Sequence, residues 1–427
     1  MACSNPPLSE PETERGLNTT ETTPADNNPK TPNHADPEKT HPEAALQNTS
    51  CCEPQPPSSS AFSSLGFLDR YLAVWIFLAM LIGILLGNFV DGVGPALQKG
   101  TFVGVSLPIA IGLLVMMYPI LCKVQYERLH EVFRTREIWI QLGFSIVINW
   151  IVAPLFMLGL AWAFLPDQQD LREGLILVGI ARCIAMVLIW NSLAGGNGDY
   201  CAILVAINSL LQIILFAPLS LLFIRVFNPH PSPSSTASTS SASITYPTVA
   251  TSVAVFLGIP LAAAILTRLT LLPLLRRGTD NEKNRYHTHF IPFISPLSLI
   301  GLLFTILVLF ASQGRRVVHQ VVSVVRVAAP LVVYFAVVFC VTMVLARRLG
   351  WRYGYAVTQG FTAASNNFEL AIAVAVAAYG PQSDQALAAT VGPLIEVPVL
   401  LGLVYGVRWF VKWKGWGDEE GGREEVV

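Results

Sequence analysis

Long apolar stretches alternate with short polar connections along most of the chain. A helix needs about 20 apolar residues to cross the hydrocarbon core of a bilayer, and ten segments come near or reach that length. They lie at 68–90, 101–122, 138–165, 172–193, 200–224, 247–267, 290–312, 328–346, 356–380 and 386–410. The pattern predicts an all-α integral membrane protein with ten transmembrane helices.

A segment rich in serine and proline, residues 228–246, separates the fifth predicted helix from the sixth. Because five helices precede this linker and five follow it, the second half must enter the membrane in the opposite sense. That is the geometry of inverted-repeat transporters. We therefore predict two inverted five-helix repeats, residues 67–227 and 247–412, in which interrupted helices four and nine cross near the membrane midplane.

The two ends of the chain differ from the membrane region. Residues 1–66 are dense in Pro, Thr, Asn and Glu, a composition typical of disordered segments. Residues 413–427 form a short C-terminal tail. Lys and Arg are enriched on the cytosolic side of membrane proteins. With both tails in the cytosol, sixteen of these residues lie on the cytosolic side against six on the other, so we predict that orientation.

Composition and motifs narrow the function classes. Hydrophobic residues make up 53% and charged residues 13% of the chain, whereas soluble domains average about 25% charged residues. The net charge of −1 gives no reason to expect a nucleic-acid partner. The seven cysteines form no CxxC pair, and no HExxH or GxxxxGK[ST] motif is present. We therefore expect a protein that is not an enzyme and that needs no cofactor or nucleotide.

Polar residues inside the apolar segments concentrate in the last two helices of each half. They are Arg182, Cys183, Trp190 and Asn191 in helix four, Asn208 in helix five, Ser365, Asn366, Asn367 and Glu369 in helix nine, and Glu396 in helix ten. Ionisable residues inside a membrane are costly and usually functional, and corresponding interrupted helices form the substrate site of inverted-repeat transporters. We expect these residues to meet, with Arg182 neutralised by Glu369 or Glu396.

Structural roles for several of these residues stay open from the sequence alone. A cysteine in a membrane helix is commonly a small apolar filler, Trp190 could belong to an interfacial aromatic belt, and Asn208 with Gln212 could join helices by hydrogen bonds. Cys183 differs from the other cysteines because Arg182 adjoins it. A neighbouring cation favours the thiolate form.

Seven stretches, in order along the membrane region, resemble the arsenical-resistance Acr3 family of arsenite efflux carriers. That family lies within a superfamily that includes the bile-acid/sodium symporters. The stretches include "GIARCIAMVLIWN" (179–191), "ASNNFELAIAVA" (364–375) and "GPLIEVPVL" (392–400). The resemblance implies export of trivalent arsenite, and in some members antimonite, in exchange for protons. We expect a multi-pass protein of the plasma membrane, with the vacuolar membrane as the alternative.

The resemblance also implies roles for the polar residues. Cys183 would bind As(III), and Glu369 and Glu396 would couple export to proton movement. The expected partners are arsenite, protons and the lipid bilayer. The implied substrate-binding set is Arg182, Cys183, Trp190, Asn191, Asn208, Ser365, Asn366 and Asn367.

The chemistry of arsenous acid agrees with a single thiol ligand. Thiolate is the soft ligand that proteins offer to a thiophilic centre, and one thiolate allows the reversible binding that a carrier needs. The alternative is a sodium-coupled organic-anion carrier of the bile-acid symporter type. In that case Arg182 would bind a carboxylate or sulfonate, and Asn366, Asn367 and Glu369 would surround a cation. An uncoupled channel is a further alternative, which two glutamates at midplane depth disfavour.

Overall fold

The computed structural model describes residues 71–124, 136–228, 244–275 and 290–414, together with Tyr286. The predicted N-terminal tail, most of the Ser/Pro linker and nearly all of the C-terminal tail lie outside these residues. The domain boundaries predicted there stay predictions.

The described residues of the first half form helices and one small hairpin. Its helices are α1 (Leu72–Phe89), α2 (Val93–Leu97), α3 (Leu107–Cys122), α4 (Arg136–Val147), α5 (Ala153–Phe164), α6 (Gln169–Ile180), α7 (Met186–Ala194) and α8 (Gly198–Leu221). A π-helical turn, Ile148–Val152, joins α4 to α5, and a second one, Leu222–Val226, extends α8.

The described residues of the second half are helical in the same manner. Its helices are α9 (Tyr246–Val253), α10 (Ile259–Leu275), α11 (Ile291–His319), α12 (Val321–Arg348), α13 (Tyr353–Ala364), α14 (Phe368–Tyr379) and α15 (Asp384–Lys414). A π-helical turn, Ala254–Gly258, joins α9 to α10.

Six continuous helical stretches in the described chain are long and apolar enough to cross a membrane. They are Ile138–Phe164, Gly198–Val226, Tyr246–Leu271, Ile291–His319, Val321–Arg348 and Asp384–Trp413. Helical residues also occupy the other four predicted segments, two as shorter helices and two as helices with a break. The structure therefore confirms a mainly helical protein with several membrane spans, whereas the ten-helix inverted repeat stays a prediction.

The second predicted segment begins later than its hydrophobicity indicates. Strands β1 (Thr101–Phe102) and β2 (Val105–Ser106) pair antiparallel ahead of α3. The turn between them requires positive φ at Gly104 (+76°) and Val103 (51°). Glycine adopts this conformation freely, but a β-branched residue is strained there. The hairpin moves the start of the helix from the predicted residue 101 to Leu107.

The helices pack in two groups. In the first group α11 packs along α1 and α3, and α3 also packs against α10. In the second group α6 packs on α15, and α12 packs on both α13 and α15. Helix α9 contacts α8 and α14, and it continues through the π-helical turn into α10 of the first group.

Ion pairs reinforce connections at the helix ends. Within the described chain they join Arg315 to Asp91, Arg316 to Asp384, and Arg326 to Asp167. The second pair links α11 to α15, and so links the two helix groups. Asp167 lies in the exposed connection between α5 and α6, where its hydrogen bonds with Arg326 lower the pKa of the carboxyl to about 2. This carboxyl is therefore ionised throughout the physiological pH range.

Replacing Gly87 by alanine should destabilise the protein, because α1 and α11 touch at that residue. A Cβ atom at Gly87 would lie 2.3 Å from the carbonyl oxygen of Ala311, and such overpacking typically costs about 1–3 kcal/mol. Thermal unfolding of the purified protein in one detergent measures the change. Gly159→Ala is the matched control, because no atom lies within 4 Å of its added carbon. Equal melting temperatures for the two variants would contradict the close approach.

Candidate functional site

Two membrane segments of the described chain are helices interrupted by a short non-helical linker, and the two linkers contact each other. Residues 181–185 separate α6 from α7, and residues 365–367 separate α13 from α14. Arg182 and Asn366 form an antiparallel backbone bridge between these linkers. The structure thus joins the two polar clusters that the sequence placed in helices four and nine.

Hydrogen bonds to backbone carbonyls connect the second linker to the first linker and to the end of α6. The N–H of Asn367 donates to the carbonyl of Ala181 at 3.0 Å, and the side-chain amide of Asn366 donates to the carbonyl of Val178 at 2.5 Å. Broken helices are tolerated at membrane depth only where the freed backbone groups find partners inside the protein. These two bonds provide such partners for the carbonyls of Ala181 and Val178.

The side chain of Arg182, which is fully buried, binds the carbonyl ends of both half-helices. One terminal guanidinium nitrogen donates to the carbonyl of Gly179 in the last turn of α6. The other donates to the carbonyl of Ala363 at 3.4 Å, near the end of α13, and to the hydroxyl of Tyr334 at 3.1 Å. Helix C-termini present unpaired carbonyls with partial negative charge, so a cation is stabilised there.

The expected ion pair of Arg182 with Glu369 or Glu396 is wrong for this structure. None of the ion pairs among the described residues involves these three side chains. The reason is that the backbone carbonyls of two helix ends provide the negative charge that a carboxylate was expected to provide. The glutamates are therefore not needed to neutralise Arg182.

Cys183 lies in the first break, with only 2% of its surface exposed. Its sulfur faces the backbone N–H groups of Ala185 and Val187, which lead into α7. It also interacts electrostatically with Glu396 and Glu369. The thiol is thus buried in the hydrophobic core, beside backbone N–H groups at the start of α7.

The two glutamates approach the breaks from different helices. Glu369 lies in the first turn of α14, and Glu396 lies in α15 between two prolines of that helix. The carboxyl of Glu396 lies beside the Ser365 hydroxyl and the backbone N–H of Asn366, and it interacts electrostatically with Glu369. Both carboxyl groups are buried at the same centre as the thiol.

Polar atoms without hydrogen-bond partners occur on the helices and linkers around the breaks. Among the described residues these buried atoms include Trp190 Nε1, Asn208 Nδ2, Gln212 Nε2, Ser365 Oγ, Asn366 Oδ1, Asn367 Nδ2 and Glu396 Oε1. A buried polar atom that lacks a partner costs about 1–3 kcal/mol, and native proteins contain few of them. Their concentration here indicates a place for a polar ligand or for water.

Asn191 and Asn367 have structural partners. Asn191 accepts a hydrogen bond from the hydroxyl of Thr358 at 2.8 Å, and so joins α7 to α13. The side-chain oxygen of Asn367 accepts from the backbone N–H of Leu370 at 3.1 Å, as the N-cap of α14. Asn191 lies within α7, whereas the thiol of Cys183 lies in the break that precedes it.

The remaining predicted residues lie in the interior as well. Trp190 is 1% exposed, which excludes the interfacial belt position. Asn208 accepts from the indole N–H of Trp150 at 3.1 Å, and Gln212 accepts from the backbone N–H of Arg182 at 2.5 Å. Both amides therefore connect elements, as the hydrogen-bonding alternative proposed. Each also keeps an NH₂ group without a partner among the described residues.

Three residues that hydrogen-bond to site residues were not in the predicted site. They are Gln212, Tyr334 and Thr358. Gln212 carries a signal in the sequence, an amide within an apolar segment, but its contact with the break could not be inferred from spacing. Tyr334 and Thr358 carry no such signal, because hydroxyl side chains are common in membrane helices. Their roles follow only from the structure.

The described residues do not form a site with several protein ligands for a resident metal ion. Within the described residues no group of three His, Cys, Asp or Glu side chains could hold a metal ion. Around the breaks the described chain offers one thiol, Cys183, together with amides, a hydroxyl and carboxyl groups.

Comparisons with known proteins assign the chain to a family. Residues 110–320 match the sodium bile acid symporter family. The arsenical-resistance protein Acr3 of Corynebacterium glutamicum is 45% identical over 348 residues, which are 81% of this chain and 90% of that protein. This chain belongs to the Acr3 family. Members of the Acr3 and bile acid symporter families are transporters and not enzymes, so this Acr3-family protein is a membrane transporter.

Two further relatives span the chain to a similar extent. An uncharacterized transporter of Synechocystis is 33% identical over 368 residues, covering 82% of this chain and 90% of that protein. The arsenical-resistance protein Acr3 of Alkaliphilus metalliredigens is 28% identical over 350 residues, covering 80% of this chain and 92% of its own length.

The hydrogen bond between Asn191 and Thr358 should contribute measurably to stability. A double-mutant cycle with Asn191→Ala and Thr358→Val should give a coupling energy of about 0.6 kcal/mol, the mean for hydrogen bonds between membrane helices. Unfolding in mixed micelles with increasing dodecyl sulfate measures the four free energies. Strict additivity of the two single changes would show that the contact between α7 and α13 contributes nothing.

Proposed function

We propose that this Acr3-family protein exports trivalent arsenite from the cytosol in exchange for protons, and thereby confers arsenic resistance. The observation that carries the proposal is the buried thiol of Cys183 between two broken helices, with partnerless polar atoms around it. The names of the relatives from Corynebacterium and Alkaliphilus, both arsenical-resistance proteins, support the same substrate class. Antimonite, which shares this chemistry, is a second substrate to be tested.

Arsenous acid is complementary to this centre. At neutral pH it is a small uncharged hydroxide whose arsenic prefers soft ligands such as thiolate. Its hydroxyl groups both donate and accept hydrogen bonds, and the partnerless atoms of Ser365, Asn366 and Trp190 can bind them. One sulfur ligand keeps the complex weak enough to release its cargo.

Binding to the thiol is a ligand exchange without oxidation or reduction. The sulfur of Cys183 forms a bond to arsenic while one arsenic–oxygen bond breaks. The thiol proton passes to a nearby carboxylate and then to the departing hydroxide, which leaves as water. The N–H groups of Ala185 and Val187, which the sulfur faces, stabilise negative charge on it during the exchange.

The two glutamates provide the proton coupling in this proposal. After releasing arsenite outside, the carrier takes up a proton on Glu369 or Glu396 and returns with that carboxyl neutral. Release of the proton into the cytosol restores a carboxylate that can accept the thiol proton. In the return step this carboxyl is neutral, which avoids the cost of moving its charge.

The proposed architecture is the ten-helix inverted repeat with both termini in the cytosol, in the plasma membrane. The fourth elements of the two halves, α6 with α7 and α13 with α14, are the ones that are broken, and they contact each other. This correspondence supports the repeat. The sodium-coupled organic-anion alternative is less well supported, because the two terminal nitrogens of Arg182 already donate to carbonyls of two helix ends.

Removal of the thiol should weaken arsenite binding at this centre. Everted vesicles containing Cys183→Ala should take up arsenite about tenfold more slowly than wild type, which corresponds to a loss of about 1.4 kcal/mol of binding. Cys201→Ala is the matched control, because Cys201 is an equally buried thiol on α8. Wild-type uptake by correctly inserted Cys183→Ala protein would refute a thiol ligand.

Replacing the glutamates by glutamine should uncouple transport from the proton gradient. Glutamine mimics the neutral carboxyl, so Glu369→Gln and Glu396→Gln should lose the acceleration of uptake that an imposed pH gradient causes. Glu173→Gln, a buried glutamate on α6 outside the breaks, is the control. If both variants keep a wild-type response to pH, or if a sodium gradient drives wild-type uptake instead, proton exchange through these residues is excluded.

A further inference from the structure

A groove with a volume of about 400 Å³ lies between α12 and α15, near the ends of both helices. Phe339, Met343 and Val344 line it from α12, and Leu403 and Phe410 line it from α15. Its volume falls within the usual range for pockets that bind small molecules, about 300–1,000 Å³. Except at one end, the lining is apolar.

A glycine keeps this groove open. Gly406 of α15 lines it, and no atom lies within 4 Å of the position that a Cβ atom would occupy there. Any larger residue would place its side chain in this space. The groove is therefore open because residue 406 is glycine. One substitution there can fill it without moving the backbone.

The end of the groove is marked by positive charge and aromatic side chains. The guanidinium carbon of Arg347 lies 5.9 Å from the centre of the Phe410 ring. Trp409 and Trp413 stack nearly parallel with their centres 5.9 Å apart, and they are 67% and 64% exposed. Exposed tryptophans of this kind typically lie at the boundary between lipid tails and headgroups.

We propose that this groove binds one anionic phospholipid. An acyl chain occupies the apolar space beside Gly406, and the headgroup phosphate contacts Arg347 at the level of the two tryptophans. Basic pockets between membrane helices bind anionic headgroups in this way. The distribution of Lys and Arg places Arg347 on the predicted cytosolic side, where anionic lipids are concentrated.

The chain's own C-terminal residues are a less suitable occupant. Residues 415–427 carry five acidic side chains and one arginine, so they could approach Arg347 but would bring charge into a groove lined by hydrocarbon. An acyl chain matches the lining along its whole length. The lipid is therefore the occupant for which both ends of the groove are suited.

A ligand in the groove would also contact a residue that packs against α13. Phe339 lines the groove and also packs on Phe361 of α13, with ring centres 4.7 Å apart. Helix α13 leads directly into the second break. A lipid in the groove would thus support the packing of α12, α13 and α15, whatever substrate the protein carries.

Native mass spectrometry of the purified protein tests the headgroup contact. Titration with phosphatidylglycerol and with phosphatidylcholine of the same acyl chains should show tighter binding of the anionic lipid. Arg347→Gln should weaken phosphatidylglycerol binding about fivefold, the effect of one basic side chain near a lipid surface. Arg348→Gln, which removes the adjacent exposed arginine outside the groove, should change phosphatidylglycerol binding little. Equal effects of the two variants would overturn the proposal.

A second pair of variants tests the acyl-chain position. Gly406→Leu fills the groove and should reduce binding of both lipids, whereas Gly159→Leu adds the same bulk at an open position on α5 and should not. A photoreactive label on Cys340, which lines the groove, should capture added lipid in a protein whose other cysteines are replaced. Capture of a peptide from residues 415–427 instead would overturn the proposal in favour of the tail.

Discussion

The contact of Arg182 with the carbonyl ends of two broken helices is the interaction on which the rest of the site depends. A break inside a membrane protein exposes backbone groups that water cannot reach, and each must find a partner in the protein. Arg182 binds Gly179 of α6 and Ala363 of α13, while Tyr334 supports its guanidinium from α12. One permanently charged side chain thereby makes two adjacent breaks tolerable, and its own charge is stabilised by two helix C-termini.

With the carbonyl ends bound, the other half-helices direct backbone N–H groups into the same region. The sulfur of Cys183 faces such groups at the start of α7, and Glu369 lies in the first turn of α14. Helix N-termini stabilise nearby negative charge, which suits the ligand exchange proposed for the sulfur. Because Glu369 and Glu396 are not bound by Arg182, they are available for protons, and the unpaired side-chain atoms are available for a hydroxylated substrate.

The sequence could predict which residues form the centre, but not how they are connected. Arg182, Cys183 and Glu369 stand out because polar side chains are rare in apolar segments. The partner of Arg182 was predicted wrongly. Its partners are backbone carbonyls, which every residue has, so the pattern of side chains could not identify them. The linker 181–185 contains no proline or glycine that would signal the position of a break. By contrast, the residues 365–367, Ser-Asn-Asn, favour local side-chain hydrogen bonds over helix, which agrees with the cap formed by Asn367.

X-ray absorption at the arsenic edge, on purified wild-type protein loaded with arsenite, can determine whether a single sulfur binds the arsenic. The signal reports which atoms surround arsenic, independently of transport rates and coupling. We expect one sulfur neighbour, Cys183, with oxygen as the remaining ligands. A spectrum with oxygen neighbours alone, or with two or three sulfurs, would contradict a site built on a single thiol between the two breaks.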